Sequence, residues 1–457
     1  MKKIVSVIAA LSVAAGMLTG CGEKKEDVAK VRIWSASGST KQFMTDKVVE
    51  FNKTIGAEKG ISIEYQVISS NMGDMVKSAF ENGDGPELVG CSYNDAMQYR
   101  QQGYIIPIDD LDGGKEILDL VDYDIPNLKR FAENGKTYLL PQSVITGGLI
   151  YNKDLFKKAG IVDENGEAKP PATWDEFVED AKKIHEADKD KYGAGFPLKG
   201  SVIWWCGMGW AMTASYNSSS TIDLDKQEVK FDNVDYTMET MLKIKEANAC
   251  FPGAESLDND TMRLQFAEGN IGMFLGCSWD VGVLTDQFPA KCDWDVAPYP
   301  VKNINERYKQ SGDISGTVSI GNSAVKSEKM SKAVTEVYKW LYFGDLDKEM
   351  YEEGLSIPYS EKVAQSADQS KMPEQWKKFC DMVKVTRMPQ EEIKYKLEGD
   401  SSSVVKEKVW MGTMTIREAC DDLNKRYTEA LRKGLADGSI DPDVIKENQS
   451  MDFRIEQ

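Results

Sequence analysis

The stretch Asn134-Gly-Lys-Thr-Tyr-Leu-Leu-Pro-Gln-Ser-Val-Ile-Thr-Gly-Gly-Leu-Ile-Tyr-Asn-Lys-Asp-Leu-Phe156 decides how this chain divides into folding units. It begins with the turn signal Asn134-Gly135 and continues as two short apolar pieces, interrupted by Pro141 and by Gly147-Gly148. Apolar segments broken in this way are typical of strands with a bend between them, and not of a helix. The bend is compatible with a chain that leaves one α/β lobe and enters another, and also with a β-hairpin inside a single domain.

Upstream of this stretch, strand and helix patterns alternate. Apolar patterns predict strands at 31–35, 61–67 and 87–91, and apolar residues at helical spacing predict helices over 44–51 and 72–80. Elements in this order predict a parallel sheet covered on both faces. Because such sheets bind ligands at the carboxyl ends of their strands, segments 34–38 and 91–95 would share one mouth.

The composition disfavours some classes of partner. The chain has 56 Lys and Arg against 74 Asp and Glu, which gives a formal net charge of −18. An acidic surface of this kind disfavours nucleic acids and anionic lipids as partners. An apolar fraction of 41% over 457 residues supports large cores and indicates two or three domains.

The N-terminus has the features of a lipoprotein signal. Lys2-Lys3 precede an apolar segment at 4–18, which is short for a bilayer span, and Leu18-Thr19-Gly20-Cys21 follows. We expect residues 1–20 to be removed as a signal peptide and Cys21 to carry a diacylglyceryl anchor, since two acyl chains suffice for stable attachment to a membrane. Polar residues 21–30 would form a flexible tether. The alternative is an ordinary secretory signal followed by a chance cysteine.

No arrangement of residues in the sequence predicts catalysis. The single histidine, His185, lies at the edge of an apolar helix face and is expected to be structural, which leaves no Ser-His-Asp set. HExxH and Walker A motifs are absent, and neither a metal nor a cofactor is expected. Seven cysteines follow Cys21 without a CxxC or a regular spacing, a pattern that predicts buried free thiols instead of a disulfide framework.

Tryptophans are concentrated in one short segment. Trp204, Trp205 and Trp210 lie beside Gly207 and Gly209, which predicts a bulky aromatic surface. One alternative is a packed helix start with one tryptophan in the core; we expect Trp204, Trp205 or both to face a cleft. Aromatic faces pack against the C–H faces of sugar rings, whose hydroxyl edges need polar partners.

Three ordered segments carry a resemblance to a known family: GKTYLLP at 135–141, LIYNKDLFKKAGI at 149–161 and PPATWDEF at 170–177. Together they resemble the crossover segment of the family 1 extracellular solute-binding proteins, the sugar-capturing subunits of bacterial ABC importers. Further similar blocks lie at 83–95, 101–108, 265–279, 293–300 and 355–359, and the resemblance extends over nearly the whole mature chain.

The resemblance implies an α/β fold of the two-lobed, periplasmic-binding-protein-like type II class. Each lobe would be a mostly parallel sheet flanked by helices, with the ligand cleft between the lobes. The N-terminal lobe would contain residues 31–141 and 313–358, and the C-terminal lobe residues 142–312 and 359–457. The chain would cross between lobes near Pro141, Asp313 and Pro358, and ligand binding would favour a closed state by hinge bending.

The resemblance also implies ligand-binding residues. Tyr93, Asn94 and Asp95 follow the strand whose end binds sugar hydroxyls in the family, although Asn94 and Asp95 also suit a helix N-cap. Trp279 is the counterpart of a tryptophan that stacks on sugar in several members. The full set of expected ligand contacts is Trp34, Ser37, Tyr93, Asn94, Asp95, Gln142, Trp204, Trp205, Trp279, Tyr359 and Trp410. A glutamate of maltodextrin-binding members corresponds to Ile145, so the ligand need not be maltodextrin.

The leading hypothesis is a lipid-anchored, monomeric solute-binding protein that captures an oligosaccharide and delivers it to the permease subunits of an ABC importer. One alternative is an exported glycan-active enzyme, because the 74 acidic residues could include a catalytic pair. Another is a sensor subunit that presents its ligand-bound form to a membrane receptor and uses the same fold and cleft.

Overall fold

The computed structural model describes residues 28–68, 71–123, 131–200, 202–218, 220–231, 233–388 and 393–456. The predicted signal peptide at 1–20, Cys21 and most of the predicted tether at 21–30 lie outside the described residues. Within the described ranges, no helix combines the length and the apolar character that crossing a bilayer requires.

The secondary-structure elements alternate along most of the chain. The strands are β1 (Ala29–Ser35), β2 (Ile61–Val67), β3 (Leu88–Gly90), β4 (Ile105–Ile106), β5 (Ala132–Glu133), β6 (Lys136–Thr137), β7 (Ser143–Ile145), β8 (Gly147–Asn152), β9 (Tyr192–Ala194), β10 (Ser220–Asp223), β11 (Glu228–Phe231), β12 (Ile271–Cys277), β13 (Trp294–Ala297), β14 (Gln310–Ser311), β15 (Asp313–Ser315), β16 (Val318–Gly321), β17 (Ile357–Pro358) and β18 (Thr386–Arg387). The α-helices are α1 (Lys41–Lys53), α2 (Ile55–Lys59), α3 (Met72–Glu81), α4 (Tyr93–Gln101), α5 (Gly114–Asp119), α6 (Lys153–Lys158), α7 (Trp174–Ala187), α8 (Met208–Thr213), α9 (Val234–Glu246), α10 (Asn259–Ala267), α11 (Asp280–Gly282), α12 (Glu328–Phe343), α13 (Leu346–Glu352), α14 (Glu361–Ser366), α15 (Glu374–Met382), α16 (Ser402–Trp410), α17 (Ile416–Asp437) and α18 (Pro442–Ser450).

The first lobe is built on a sheet with strand order β2-β1-β3-β16-β4. Leu88 and Val89 point to opposite faces of this sheet, as successive strand residues must. Leu88 packs in a cluster with α1 and α12, and Val89 packs in a cluster with α3 and α4. The strand and helix alternation predicted for residues 31–91 is therefore confirmed.

The second lobe has its own sheet, with strand order β13-β8-β12-β9. Leu149 and Tyr151 pack towards α7, α9 and α17, whereas Ile150 packs towards α10 and α15. Each lobe thus has a sheet between two helix layers, and the predicted two-lobed α/β fold is confirmed.

Both sheets are mixed, which corrects the expectation of mostly parallel strands. In the first sheet β1 is parallel to β2 and β3, but β16 is antiparallel to β3 and β4. In the second, β8 is antiparallel to β12 and β13, and only β9 runs parallel to its neighbour β12. The rule that helical crossovers produce parallel neighbours applies to consecutive βαβ units. The rule does not apply to strands that enter a sheet from a distant segment of the chain.

A third, three-stranded sheet joins the lobes, with order β15-β7-β17. β7 and β8 lie on either side of Thr146 and belong to different sheets, so the hairpin alternative for the 134–156 stretch is wrong. The turn at Asn134-Gly135 closes the small β5–β6 hairpin instead, with φ of 52° and 76°, which suits a two-residue primed turn. The three joining strands lie near the expected crossings, and the residue ranges assigned to each lobe stay a prediction.

Buried polar groups anchor the joining strands at both ends. On the first-lobe side, the Tyr342 hydroxyl accepts from the Val318 N–H at 2.8 Å and lies 3.2 Å from the Leu140 carbonyl oxygen. On the second-lobe side, Thr146 Oγ1 lies 2.6 Å from Thr386 Oγ1. Gln310 Nε2 donates to the same Thr146 hydroxyl at 3.0 Å. Any bending between the lobes is therefore confined to the few residues between these anchors.

In the sequence, Thr415-Ile-Arg-Glu418 predicts a capping box that opens a helix, and Gly434 predicts the end of that helix. The helix, α17, begins as predicted but ends later. Thr415 and Glu418 form the predicted capping box. Gly434, predicted to end the helix, lies inside it, where an added Cβ would come 2.5 Å from Ile440 atoms. The helix ends at Gly438, whose φ of 74° suits a left-handed cap. A glycine is needed at position 434 because the helix packs closely against Ile440 there. The sequence pattern alone does not distinguish such a glycine from one that ends a helix.

Candidate functional site

A cleft of about 380 Å³ lies between the lobes, a size within the range typical of small-molecule sites. The joining strands β7, β15 and β17 contribute Ser143 to Ile145, Asp313 to Ser315, and Ile357. The first lobe adds residues after β1 and β3, and the second lobe adds Trp205 and Trp279. A ligand in this cleft would touch both lobes and the joining strands together.

The first-lobe wall follows the rule for parallel strands. β1 and β3 are parallel neighbours that end at Ser35 and Gly90. Beyond them, Ser37 in a loop and Tyr93 at the start of α4 line the cleft. Asn94 is exposed on α4, and Asp95 accepts a hydrogen bond from the Ser92 hydroxyl at 2.6 Å. Ser92 Oγ in turn accepts from the Asp95 N–H at 3.2 Å, which makes Ser92 the N-cap of α4. Neither Asn94 nor Asp95 lines the cleft, and Asp95 belongs to the cap.

The second-lobe wall is aromatic. Trp205 is 49% exposed, and its ring stacks on that of Trp279 with centroids 6.2 Å apart and planes inclined by 25°. Trp210 supports Trp205 from the side, at 5.4 Å and 64°. The three rings form one continuous surface, of which Trp205 and Trp279 line the cleft.

Trp279 is held in place by a buried ion pair at the next residue. Asp280 accepts the Arg263 Nε–H at 2.6 Å with one carboxylate oxygen and the Cys277 N–H at 2.7 Å with the other. The Ser278 N–H donates to the Thr146 carbonyl at 2.9 Å, which ties the loop to the joining strands. The indole is therefore presented by a rigid turn.

Trp204 and Trp410 are core residues, which corrects their prediction as ligand contacts. Trp204 is 7% exposed, and its Nε1–H donates to Glu407 at 3.3 Å. Trp410 is 3% exposed and packs edge-on against Phe196 at 6.1 Å. Residues 203–207 form a π-helical turn, in which neighbouring side chains point in different directions, so Trp205 faces the cleft and Trp204 faces the core.

Trp34 and Tyr359 also lie outside the cleft lining. Strand alternation sends Ile33 and Ser35 to the cleft and Trp34 to the opposite face, where it packs partly buried. Tyr359 packs edge-on against Tyr123, with ring centroids 4.8 Å apart.

Gln142 lines the cleft but its amide is bound to the first lobe. Its Nε2 donates to Asp347 Oδ1 at 2.7 Å and to the Leu341 carbonyl at 2.9 Å. Burial raises the pKa of Asp347 to about 8, and the hydrogen bond from Gln142 opposes part of that rise. Gly316, with φ of 69°, permits the close approach, because a Cβ there would lie 2.6 Å from Gln142 Oε1.

Cys91, in the segment predicted at the mouth, also lines the cleft. Several other lining residues are not among the predicted ligand contacts: Tyr65, Ser278, Asp313, Ser315, Thr317 and Ser356. Ser315 to Thr317 follow the predicted crossing at Asp313, and a polar crossing segment is itself a signal for a cleft. Cys91 is not an activated nucleophile, because burial raises the pKa of its thiol to about 12, partly offset by a contact with Ser319.

The single histidine, His185, does not line the cleft, and its Nδ1 lies 2.7 Å from the Lys191 carbonyl oxygen.

A second recess of about 540 Å³, here called the acidic recess, is charged. It is lined by Lys47, Asp286, Glu349, Glu352, Glu353, Lys371 and Pro373. Lys47 pairs with Glu349 at 2.5 Å and Lys371 with Glu352 at 3.2 Å. None of these residues lines the interlobe cleft.

Comparisons with known proteins identify a family and several relatives. The profile of the bacterial extracellular solute-binding protein family matches residues 36–343. The maltodextrin-binding protein MdxE of Bacillus subtilis is 22% identical over 389 residues, which cover 81% of this chain and 84% of that protein. The sn-glycerol-3-phosphate-binding periplasmic protein UgpB of Brucella melitensis is 22% identical over 343 residues, covering 70% and 72%.

The fold is also shared with solved structures. The GacH receptor of Streptomyces glaucescens, solved unliganded and in complex with acarbose, superposes with a TM-score of 0.66 at 18% identity, covering 89% of this chain and 99% of that one. The fold is therefore common to these proteins, while the ligands named for them differ.

Proposed function

This chain belongs to the family of bacterial extracellular solute-binding proteins, and we propose that it captures an oligosaccharide in the interlobe cleft and delivers it to an ABC importer. The observation that carries the proposal is an aromatic wall, Trp205 and Trp279, in a cleft otherwise rich in hydroxyl side chains. Sugar rings have apolar C–H faces and hydroxyl edges, so they need both kinds of partner.

In this proposal Trp205 and Trp279 stack on sugar rings, and Ser37 and Tyr93 face the hydroxyl groups. Gln142, whose Nε2 is bonded to the first lobe, lines the cleft beside them. All five line the cleft, from two lobes and one crossing segment. Two tryptophans from separate segments can each contact a different sugar ring, which favours a chain of sugars over a monosaccharide.

Binding would draw the lobes together about the joining strands. A ligand that touches both walls gains its second set of contacts only when the walls approach, so it binds the closed state more tightly and shifts the population towards it. The importer's permease subunits would then recognise the closed form.

Binding of the glycan without cleavage is favoured over a glycosidase activity. Most glycosidases use two carboxyl groups about 5–10 Å apart, whereas Asp313 is the one carboxylate among the described residues that line the cleft. Relatives such as the maltodextrin-binding protein are named as binding proteins. Purified protein incubated with a bound glycan should return it intact.

The family is extracellular, and we propose that the protein is held at the membrane surface by lipid on Cys21 and acts as a monomer. The order of charged, apolar and small residues before Cys21 supports this attachment. A tethered binding protein remains close to its importer.

The proposal is tested with a panel of oligosaccharides, both neutral and acidic, measured by calorimetry with tryptophan fluorescence as a second signal. Amino acids, peptides and glycerol 3-phosphate serve as non-sugar controls. Saturable binding of at least one oligosaccharide, with a change in tryptophan emission, is expected. Binding of a peptide or of glycerol 3-phosphate in the absence of any sugar binding would overturn the assignment.

A further inference from the structure

The interlobe cleft extends to the hydrophobic core of the first lobe. Some of the aliphatic side chains that line the cleft belong to that core or pack against it, and together they are here called the apolar recess: Ile33, Met44, Val318, Leu341, Met350 and Leu355. The first five are buried and Leu355 is partly buried. A ligand in the cleft would therefore meet hydrocarbon on the first-lobe side, as well as hydroxyl groups.

The apolar recess lies between the first-lobe sheet and its helices. Ile33 comes from β1 and Val318 from β16, two strands of that sheet. Met44 comes from α1, Leu341 from α12 and Met350 from α13. Because the aromatic wall belongs to the second lobe, the apolar recess and the aromatic wall would contact different parts of one ligand.

Polar backbone groups of the recess already have partners. The Val318 N–H donates to the Tyr342 hydroxyl at 2.8 Å, and the Tyr338 hydroxyl donates to the Val318 carbonyl oxygen at 3.2 Å. Gln142 Nε2 donates to the Leu341 carbonyl oxygen at 2.9 Å. A ligand hydroxyl placed against these residues would give up hydrogen bonds to water and find little to replace them, which is unfavourable.

The physical chemistry of such a surface favours an apolar occupant. Water in a cavity needs two to four polar partners, and apolar cavities stay dry and bind apolar groups. A methyl group, in contrast, gains free energy when it leaves water for a hydrocarbon surface. The part of a sugar that suits the recess is therefore a methyl substituent and not a ring hydroxyl.

We propose that the apolar recess binds a methyl group carried by a sugar ring, as in acetamido sugars and 6-deoxy sugars. This inference rests on the proposed function and names the class of oligosaccharide. The methyl group enters the recess, while the ring hydroxyls stay beside the hydroxyl side chains of the cleft. For an acetamido sugar, the Tyr65 hydroxyl is a donor for the amide oxygen, since Tyr65 lines the cleft and packs against the same core.

The experiment compares ligands that differ at the methyl group, with calorimetry on the wild-type protein. Di- and trisaccharides of N-acetylglucosamine are measured beside their N-formyl counterparts, which lack only the methyl group. Trisaccharides that contain a 6-deoxyhexose are measured beside their parent hexose trisaccharides, in which hydroxymethyl replaces methyl. The methylated member of at least one pair should bind about 10- to 200-fold more tightly, the range for one such group in a hydrophobic pocket.

Met44→Gln tests the recess itself. Glutamine has nearly the size and shape of methionine but carries an amide, so the recess gains a hydrogen-bonding group and loses apolar surface. The preference for the methylated ligand should fall to about threefold or less. Met75→Gln is the matched control, because Met75 is on α3 of the same lobe, is 41% exposed and does not line the cleft. It should leave the preference within about twofold of wild type.

The outcomes separate this inference from the proposed function. A preference in only one pair identifies which of the two sugar classes supplies the methyl group. Equal affinities within both pairs, or binding of other oligosaccharides without either methylated class, would overturn the inference while oligosaccharide capture stands. An equal loss of preference in Met44→Gln and Met75→Gln would also overturn it. If no oligosaccharide binds at all, the proposed function falls and this inference falls with it.

Discussion

The indole rings of Trp205 and Trp279 lie stacked across two separate segments of the second lobe, with centroids 6.2 Å apart. Trp205 is supplied by a π-helical turn and Trp279 by the turn that follows β12. Their contact turns two isolated residues into one wall of the cleft.

Replacing Trp205 or Trp279 with Ala should weaken oligosaccharide binding by about 10- to 100-fold. Stacking contributes about 0.5–1.5 kcal/mol beyond the area buried, and about 1.4 kcal/mol is tenfold in affinity. Calorimetry measures the effect directly.

Trp204→Ala is the matched control for Trp205→Ala, because the two tryptophans are adjacent and only Trp205 is exposed. Trp204→Ala should lower the free energy of unfolding by about 3–5 kcal/mol. Trp205→Ala should change it much less. Equal destabilisation by both substitutions would contradict the assignment of Trp205 to the cleft.

Asp347 should make stability depend on pH. Burial raises its pKa to about 8 in the folded protein, compared with roughly 3.9 in the unfolded chain. The folded state then holds a proton that the unfolded state has released, so the contribution of Asp347 to stability is fully present below about pH 4 and is lost as the pH rises towards 8. Urea unfolding measured from pH 5 to 9 should show that the free energy of unfolding depends less steeply on pH in Asp347→Asn than in the wild-type protein.

Asp368→Asn provides the comparison for that experiment. Hydrogen bonds from Ser370 lower the pKa of this exposed carboxylate, so its contribution is present at neutral pH and lost only as the pH falls through the acid range. The substitution should leave the slope above pH 5 unchanged. A slope unaffected by Asp347→Asn would show that another group is responsible.

Arg263→Met should be strongly destabilising. It leaves Asp280 buried without its cation, a change that costs about 3–5 kcal/mol. Because Asp280 also fixes the turn that presents Trp279, binding should weaken along with stability. Chemical unfolding and calorimetry on the same sample measure both effects.

Asp260 allows the two ends of this interaction to be compared. It pairs with the same Arg263 at 2.9 Å, but its side chain is 72% exposed, whereas that of Asp280 is 4% exposed. Asp260→Asn should cost less than about 1 kcal/mol, as exposed pairs usually do. A large loss of stability in Asp260→Asn would mean that the exposed ion pair, and not the buried one, provides most of the stabilisation.

Cys21→Ala should abolish membrane attachment. The protein should be released, or accumulate as an uncleaved precursor, because the acylated thiol is missing. Fractionation and intact-mass measurement distinguish these forms. Cys420→Ala, at a partly buried thiol of the folded part of the chain, should remain attached. A mature N-terminus elsewhere without acyl mass would contradict the anchor.

The sequence by itself determined much of the local structure. Capping boxes set the starts of α7 and α17, the Asn134-Gly135 dipeptide set a turn, and apolar periodicity set the strands and helices of residues 29–81. These signals are short-range, because each depends on a residue's own conformational preference or on partners three or four positions away. The resemblance added the two lobes and pointed to Trp279.

Only the tertiary structure decided which side chains reach the cleft. Trp204 and Trp205 are neighbours of the same type, and a π-helical turn separates them into core and wall. Gly434 and Gly438 both follow helical positions, and only packing against Ile440 shows which one ends the helix. The sequence predicts Asp313 only as a residue near a crossing between lobes, yet the pairing of β15 with β7 brings it into the cleft. These outcomes depend on contacts between segments distant in sequence, and no local pattern contains that information.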